Sequence, residues 1–291
     1  MPKGYTRFGH TSMILADAAE QSLKAGDPAA ALAHLQEQVR AKPADPRLRI
    51  FLFQLLCVTG QWDRALTQLG VASNLDPEAL AMAQTYGDAV RCEGVRDEVF
   101  AGRKSPLIFG EPEQWLALLI ESLLVAARGE PERSAELHTL AFDAAPASKG
   151  TVDNRPFEWI SDADSRLGPV LEAVINGRYY WVPFSRLIKI EFEPPEDLRD
   201  LVWLPARLQF ANGGESVALV PTRYPGSSAS PDGLIVLARK TVWEEVAGDS
   251  HRGLGQRIFA TDAEEVPMLE ARTITLETPD EPEPDAAEEH G

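Results

Sequence analysis

Hydrophobic positions in the first half of the chain recur at helical spacing. In "AALAHLQEQV", Ala31, Leu32, Leu35 and Val39 fall on one face, the stripe of an amphipathic helix. "LRIFLFQLLCVTG" is apolar nearly all round, which predicts a helix buried among its neighbours. "EQWLALLIESLLVAARG" continues the stripe through Trp115, Leu118, Leu119, Ser122 and Leu123, and Gly129 stands where that helix would stop. A longer period lies beneath. Gly26, Ala31, Leu32, Leu35 and Pro43 recur as Gly60, Ala65, Leu66, Leu69 and Pro77, each displaced by 34 residues, and Gly94 and Gly129 extend the step by 34 and 35. This is the period of tetratricopeptide helix pairs, which bury their apolar faces only by stacking on one another. Glycines and prolines in "VFAGRKSPLIFGEP" erode the third unit, and Ser134 replaces the small alanine of the fourth. The pattern predicts helices up to about residue 146, as a superhelix with a broken middle.

The period shortens after Gly150. "RYYWVPF", "LIKIEFE", "ARLQFA", "SVALVPTRY", "LIVLARKTVWEEV" and "RTITLE" are short runs of β-branched and aromatic residues separated by prolines, glycines and the "NGG" at 212–214. No long helical patterns alternate with them, so a parallel doubly wound sheet is not expected. Ahead of most of these runs, Leu167, Val170, Leu171 and Val174 stand at helical spacing with Gly177 after them, predicting a short helix. The expected fold class is α+β. A TPR-like helical repeat domain spans 1–148 and a compact antiparallel β-rich domain, small and barrel-like, spans 149–276. The stretch 277–291, "ETPDEPEPDAAEEHG", holds seven acids, three prolines and no basic residue. It has too little apolar surface to order itself and is expected to be a flexible tail.

Charge narrows the partners. With 45 acidic against 28 basic residues the formal charge is −17. Such a field repels phosphate backbones and argues against nucleic acid, while a basic or amphipathic partner would be attracted. Cys57 and Cys92 form neither a disulfide framework nor a zinc spacing and read as buried small hydrophobes. "MPKGYTRFGHTSMILADAAE" lacks the features of a secretory leader, and no apolar run reaches the roughly 18 residues of a membrane span. A cytoplasmic protein without membrane insertion is expected.

The densest chemistry lies in "FEWISDADSRLGPVLEAVINGRYYWVPF", residues 157–184, where Asp162 and Asp164 stand two apart, as metal-binding carboxylates often do. A calcium loop counted from Asp162 would need an acid or amide, a glycine and a glutamate where the chain has Arg166, Leu167 and Ala173. A DxD metal site of a sugar-nucleotide transferase would need a nucleotide-binding α/β sheet. The structural reading is that Asp164 or Ser165 caps the predicted helix, Pro169 sits in its first turn and Arg166 pairs with a carboxylate. Asp162, Asp164 and Arg166 then form a joint rather than a catalytic or metal centre. The five histidines, His10, His34, His138, His251 and His290, form no close ligand pair, and no nucleophile elbow, phosphate loop or dinucleotide fingerprint occurs. No cofactor is implied. Trp115, Trp159, Tyr179, Tyr180 and Trp181 are the candidate partner-binding residues, because Trp and Tyr dominate binding hot spots. Strand alternation in "RYYWVPF" would send Tyr179 and Trp181 to one face, Tyr180 to the other, and one of those faces to the core.

"LRIFLFQLLCVTGQWDRALTQL", "FGEPEQWLALL", the 157–184 block, "PPEDLRDLVWLPA" and "PTRYPGS" together resemble the signature blocks of the ImpE/TagJ family, accessory proteins of bacterial type VI secretion systems also called SciE-type virulence proteins. The resemblance runs from about residue 15 to 260. It implies a cytoplasmic, non-enzymatic protein that binds the N-terminal helix of the small contractile-sheath subunit, TssB (VipA), with a link to sheath handling by the ClpV unfoldase. The family supplies no motif that assigns individual binding residues. The competing reading from the residues is a metal-dependent or hydrolytic enzyme centred on Asp162, Asp164 and Arg166.

Overall fold

The computed structural model describes residues 17–111, 113–246 and 250–277. The leader reading of the N-terminal stretch and the tail from 278 onward lie outside them. Helices α1 (Asp17–Lys24), α2 (Pro28–Ala41), α3 (Pro46–Val58), α4 (Trp62–Leu75), α5 (Leu80–Phe100), α6 (Gln114–Ala127) and α7 (Pro131–Ala144) follow in order. Aspartate–proline pairs start two of them. Asp27 accepts from Ala30 N–H at 2.8 Å and Asp45 from Arg47 N–H at 2.9 Å, with Pro28 and Pro46 in the first turn, where no amide hydrogen is missed.

Three hairpins result, α1–α2, α3–α4 and α6–α7, each turning on a glycine with positive φ: Gly26 (+80°), Gly60 (+67°) and Gly129 (+82°). Gly94 breaks the series. It lies inside α5, a single helix of 21 residues, so the second 34-residue step marks no turn. As expected, α3 is the central helix, buried at every residue from Leu52 to Val58.

The second half is β-rich but not a closed barrel. Strands β1 (Leu107–Ile108), β2 (Gly150–Val152), β3 (Arg155–Phe157), β4 (Ile160–Asp162), β5 (Val170–Ile175), β6 (Arg178–Pro183), β7 (Leu187–Phe192), β8 (Trp203–Phe210) and β9 (Glu215–Pro221) are followed by β10 (Thr241–Glu245), β11 (His251–Gly255), β12 (Ile258–Thr261), β13 (Glu265–Pro267) and β14 (Thr273–Leu276). Nine form one open sheet in the order β1-β6-β5-β9-β8-β7-β14-β2-β3. Every pairing in it is antiparallel except β1 on β6. That short strand precedes residue 150, against the expectation that strands appear only later.

The predicted helix over 167–174 is instead a turn at 167–169 leading into strand β5 from Val170. β5 pairs with β6 from Val170↔Pro183 to Ile175↔Arg178. Asn176 (φ 50°) and Gly177 (φ 72°) make the two-residue turn, the type I′ geometry that an Asn-Gly pair favours. All six residues of β5 are buried, because both faces of the sheet are covered here. Val170 and Val174 join a core shared with α3, α5 and α6, while Leu171, Ala173 and Ile175 join a second core on the other face. The small sheet β13-β12-β4 closes that second core with Phe259, Val266 and Ile160. The central strands are therefore sandwiched between the helical array and the small sheet.

Candidate functional site: a buried ionic joint beside an open cleft

Glu172 is the one charged residue of β5, and alternation turns it toward the helices. There it meets Arg96 of α5, with Nε–Oε1 at 2.6 Å and Nη2–Oε2 at 3.0 Å. Arg257, just before β12, donates to the same carboxylate, as does the Tyr179 hydroxyl. Trp181 Nε1 donates to the Tyr179 oxygen at 2.8 Å. On the helical side, Glu93 accepts from Trp203 Nε1 at 2.7 Å and lies 3.4 Å from Arg96. Arg223 is held by carbonyls, those of Val58 at 2.7 Å and Val236 at 2.5 Å. One buried network thus ties α3 and α5 to β5, β6, β8 and the segment after β9.

The DxD stretch is the far end of this network. Asp162 accepts from Asp164 N–H at 2.8 Å, and its other oxygen lies 3.0 Å from Arg257 Nη1 without hydrogen-bond alignment. The Asp164 carboxylate accepts from Arg166 N–H (3.0 Å), Arg166 Nε (2.9 Å) and Gly253 N–H (3.0 Å). Both aspartates are buried, and Arg166 lies over the Phe100 ring at 5.0 Å. Since 167–174 is no helix, the acids do not cap one. They brace the loop between β4 and β5 and tie it to β11 and to α5.

Burial and pairing set the ionisation of the joint. Burial alone would raise the Glu172 pKa, but Arg257 and Arg96 beside it, with hydrogen bonds from Arg96 and Tyr179, hold it at about 2. Burial raises Asp162 to about 7, because misaligned Arg257 offsets only part of the desolvation and Asp164 adds like charge. Burial also raises Glu93 and lowers Arg223 to about 10. Four carboxylates (Glu93, Asp162, Asp164, Glu172) face four guanidiniums (Arg96, Arg166, Arg223, Arg257). Among the described residues no group of three or more His, Cys, Asp or Glu is placed to hold a metal ion.

The aromatic candidates fall mostly into this core. Trp181 is fully buried, Tyr179 and Trp115 nearly so, and Tyr180 packs edge-on against Phe109. Tyr179 and Trp181 do face the core, and Tyr180 on the opposite face is half-buried beside Phe109. Only Trp159, 40 % exposed, presents much surface. Sequence reasoning missed Arg96, Glu172, Arg223 and Arg257. The available signal was an ionisable residue inside an otherwise apolar run, "VLEAVI".

Open surface lies elsewhere. A cleft of about 700 Å³ runs between α1, α3 and the segment Pro195–Leu201. Leu23, Ile50, Phe51, Gln54, Leu198 and Leu201 line its interior, and Glu20, Arg47, Glu196 and Asp197 also border it. The Pro195–Leu201 wall is built rather than loose. Asp200 accepts from the N–H groups of Glu196 and Asp197, both at 2.8 Å, and Arg199 lies over the Tyr86 ring of α5 at 4.6 Å.

Comparison with known proteins agrees with this architecture. Residues 22–85 match the tetratricopeptide repeat family and residues 154–275 match the family described as ImpE protein. A crystal structure of a Vibrio parahaemolyticus protein superposes with a TM-score of 0.82 at 25 % identity, covering 90 % of this chain and 98 % of that one. The type VI secretion system accessory component TagJ of Pseudomonas aeruginosa is 51 % identical over 262 residues, 90 % of this chain and 92 % of that protein. At that identity and coverage, the chain belongs to the ImpE/TagJ family of type VI secretion system accessory proteins.

Proposed function

We propose that the chain is a cytoplasmic, non-enzymatic adaptor that binds the N-terminal helix of the small contractile-sheath subunit, the TssB/VipA-like protein, and modulates sheath handling, including the work of the ClpV unfoldase. The observation that carries this reading is an open, largely apolar cleft on a helical-repeat array. Laying an amphipathic helix into such a groove is a general mode of recognition. The ionic joint supports the reading by fixing the array against the β-sheet, so that the cleft is preformed and little ordering is needed on binding. No helix among the described residues is long and apolar enough to cross a membrane.

Geometry favours an adaptor over an enzyme centred on Asp162, Asp164 and Arg166. A catalytic carboxylate must come within hydrogen-bond reach of a substrate, whereas both aspartates are buried and already bound to backbone N–H groups and arginine. Co-purification of the intact small sheath subunit with the full chain tests the reading. Capture by the wild type and equally by Asp162→Asn is expected; absence of capture by either contradicts it.

A further inference from the structure

We infer that the cleft between α1, α3 and the Pro195–Leu201 wall is the docking site, and that it takes a partner helix whose apolar stripe is bordered by lysine or arginine. The partner's identity rests on the adaptor reading above; its chemistry rests on the cleft alone.

The floor is apolar and incompletely covered. Phe51, Leu198 and Leu201 are only half-buried although they pack against the main core, and Ile50 beside them is half-buried too, so an apolar side chain entering the cleft would remove their remaining surface from water. Gln54 adds a polar signal. It is buried to 7 % exposure on the floor and makes no hydrogen bond among the described residues. Its amide is thus free to hydrogen-bond a polar group of an occupant.

Charge sets the flanks. Glu20 on one wall and Glu196 on the other have neither a hydrogen-bonded nor an ion-paired side chain among the described residues, while Arg47 is the one cation in the lining. Asp197 contributes less, being paired with Arg199. A helix lying between the walls therefore meets carboxylates on both sides. Lysine or arginine can reach such rims while its stem covers apolar surface.

The walls also select backbone form. They are two helices and a 3-10 turn at Leu198–Leu201. Among the described residues no strand contributes to the lining, so an extended peptide would find no ladder there for its N–H and C=O groups. A helix satisfies its own.

The test uses the full chain and two labelled probes in fluorescence anisotropy: a synthetic helical peptide with leucines on one face and lysines beside them, and a scrambled peptide of equal composition. The striped peptide should bind and the scrambled one should bind about tenfold more weakly or not at all. Reversing the rim in Glu20→Lys and Glu196→Lys, which touches no core residue, should weaken the striped peptide about tenfold at low salt. Ile50→Glu should abolish binding, with circular dichroism confirming its fold. Binding that ignores all three substitutions, or equal binding of both peptides, overturns the inference. So does binding that appears only after residues 1–16 are removed, because the cleft would then be assigned to the chain's own segment. If the intact sheath subunit binds but the rim variants leave its affinity unchanged, the docking site fails while the adaptor reading stands. If the striped peptide shows the expected pattern but the sheath subunit is not captured, the adaptor reading fails and the site stands.

Discussion

Arg96 and Glu172, 76 residues apart, face each other as a buried two-pronged ion pair, with Nε–Oε1 at 2.6 Å and Nη2–Oε2 at 3.0 Å. One lies on α5 and the other on β5, so the pair pins the helical array to the sheet. Removing one partner of a buried pair leaves the other charge without compensation. Glu172→Gln takes the carboxylate that Arg96 and Arg257 share, leaving them only Glu93 and Asp162 respectively, and is expected to lower unfolding free energy by about 3–5 kcal/mol in urea titration. The exposed pair Arg103–Glu98 supplies the control. Glu98→Gln should leave the urea midpoint unchanged within error, because solvent-exposed pairs contribute little.

Two carboxylates of the joint titrate in opposite senses. Asp162 has a folded pKa of about 7, above its unfolded value near 4, so the folded state binds its proton more tightly. Its contribution is fully present below about pH 4 and is lost as pH rises through 7. Glu172 has a folded pKa of about 2, and its contribution is present above about pH 4 and lost as pH falls toward 2. Stability of the wild type should therefore rise from pH 8 to about pH 5 and fall below pH 4. In Asp162→Asn the rise between pH 8 and 5 should flatten while the acid limb persists. Urea midpoints over that pH series read both limbs.

Glycine substitutions test the interrupted repeat. Gly94 is interior to α5 and a Cβ there would meet open space, so Gly94→Ala should stabilise by about 0.5–1 kcal/mol. Gly60 shares the 34-residue step but turns the chain at φ +67°, and a Cβ there would lie 2.6 Å from Ser228 Oγ. Gly60→Ala should destabilise by about 1–2 kcal/mol. Thermal melts of the two variants should shift in opposite directions.

If Asp162 and Asp164 serve the joint and not a metal, calorimetric titration with calcium, magnesium and manganese should show no stoichiometric heat. A micromolar site that disappears in Asp162→Ala would contradict the joint.

Periodicity made the helical half legible. The apolar circumference of α3 and the recurrence of Gly26 at Gly60 both report local geometry, and both correspond to observed elements. The same reasoning misjudged Gly94, because one glycine inside a helix is tolerated when its neighbours propagate the helix. It also misjudged 167–174. A strand buried on both faces shows a continuous apolar run, and its spacing alone cannot separate it from a helix. The Asn176–Gly177 pair was the discriminating signal, because it specifies a hairpin turn rather than a helix end. The joint was only half visible. Asp164 and Arg166 are neighbours in sequence, but Arg96, Glu172 and Arg257 converge across 76 and 85 residues, and a single chain carries no record of such pairing. The Pro195–Leu201 wall stood in the sequence as "PPEDLRDL", with nothing local to say that it would face α1 and α3.

The most direct measurement of the adaptor role is the kinetics of the intact small sheath subunit binding to the immobilised full chain at roughly 0.05 and 0.5 M salt. A stable complex is expected, with salt slowing association more than it speeds release, because charge guides the approach while the buried apolar contact sets residence. No detectable binding at about 100 μM, a free energy weaker than roughly −5.5 kcal/mol, would contradict the account.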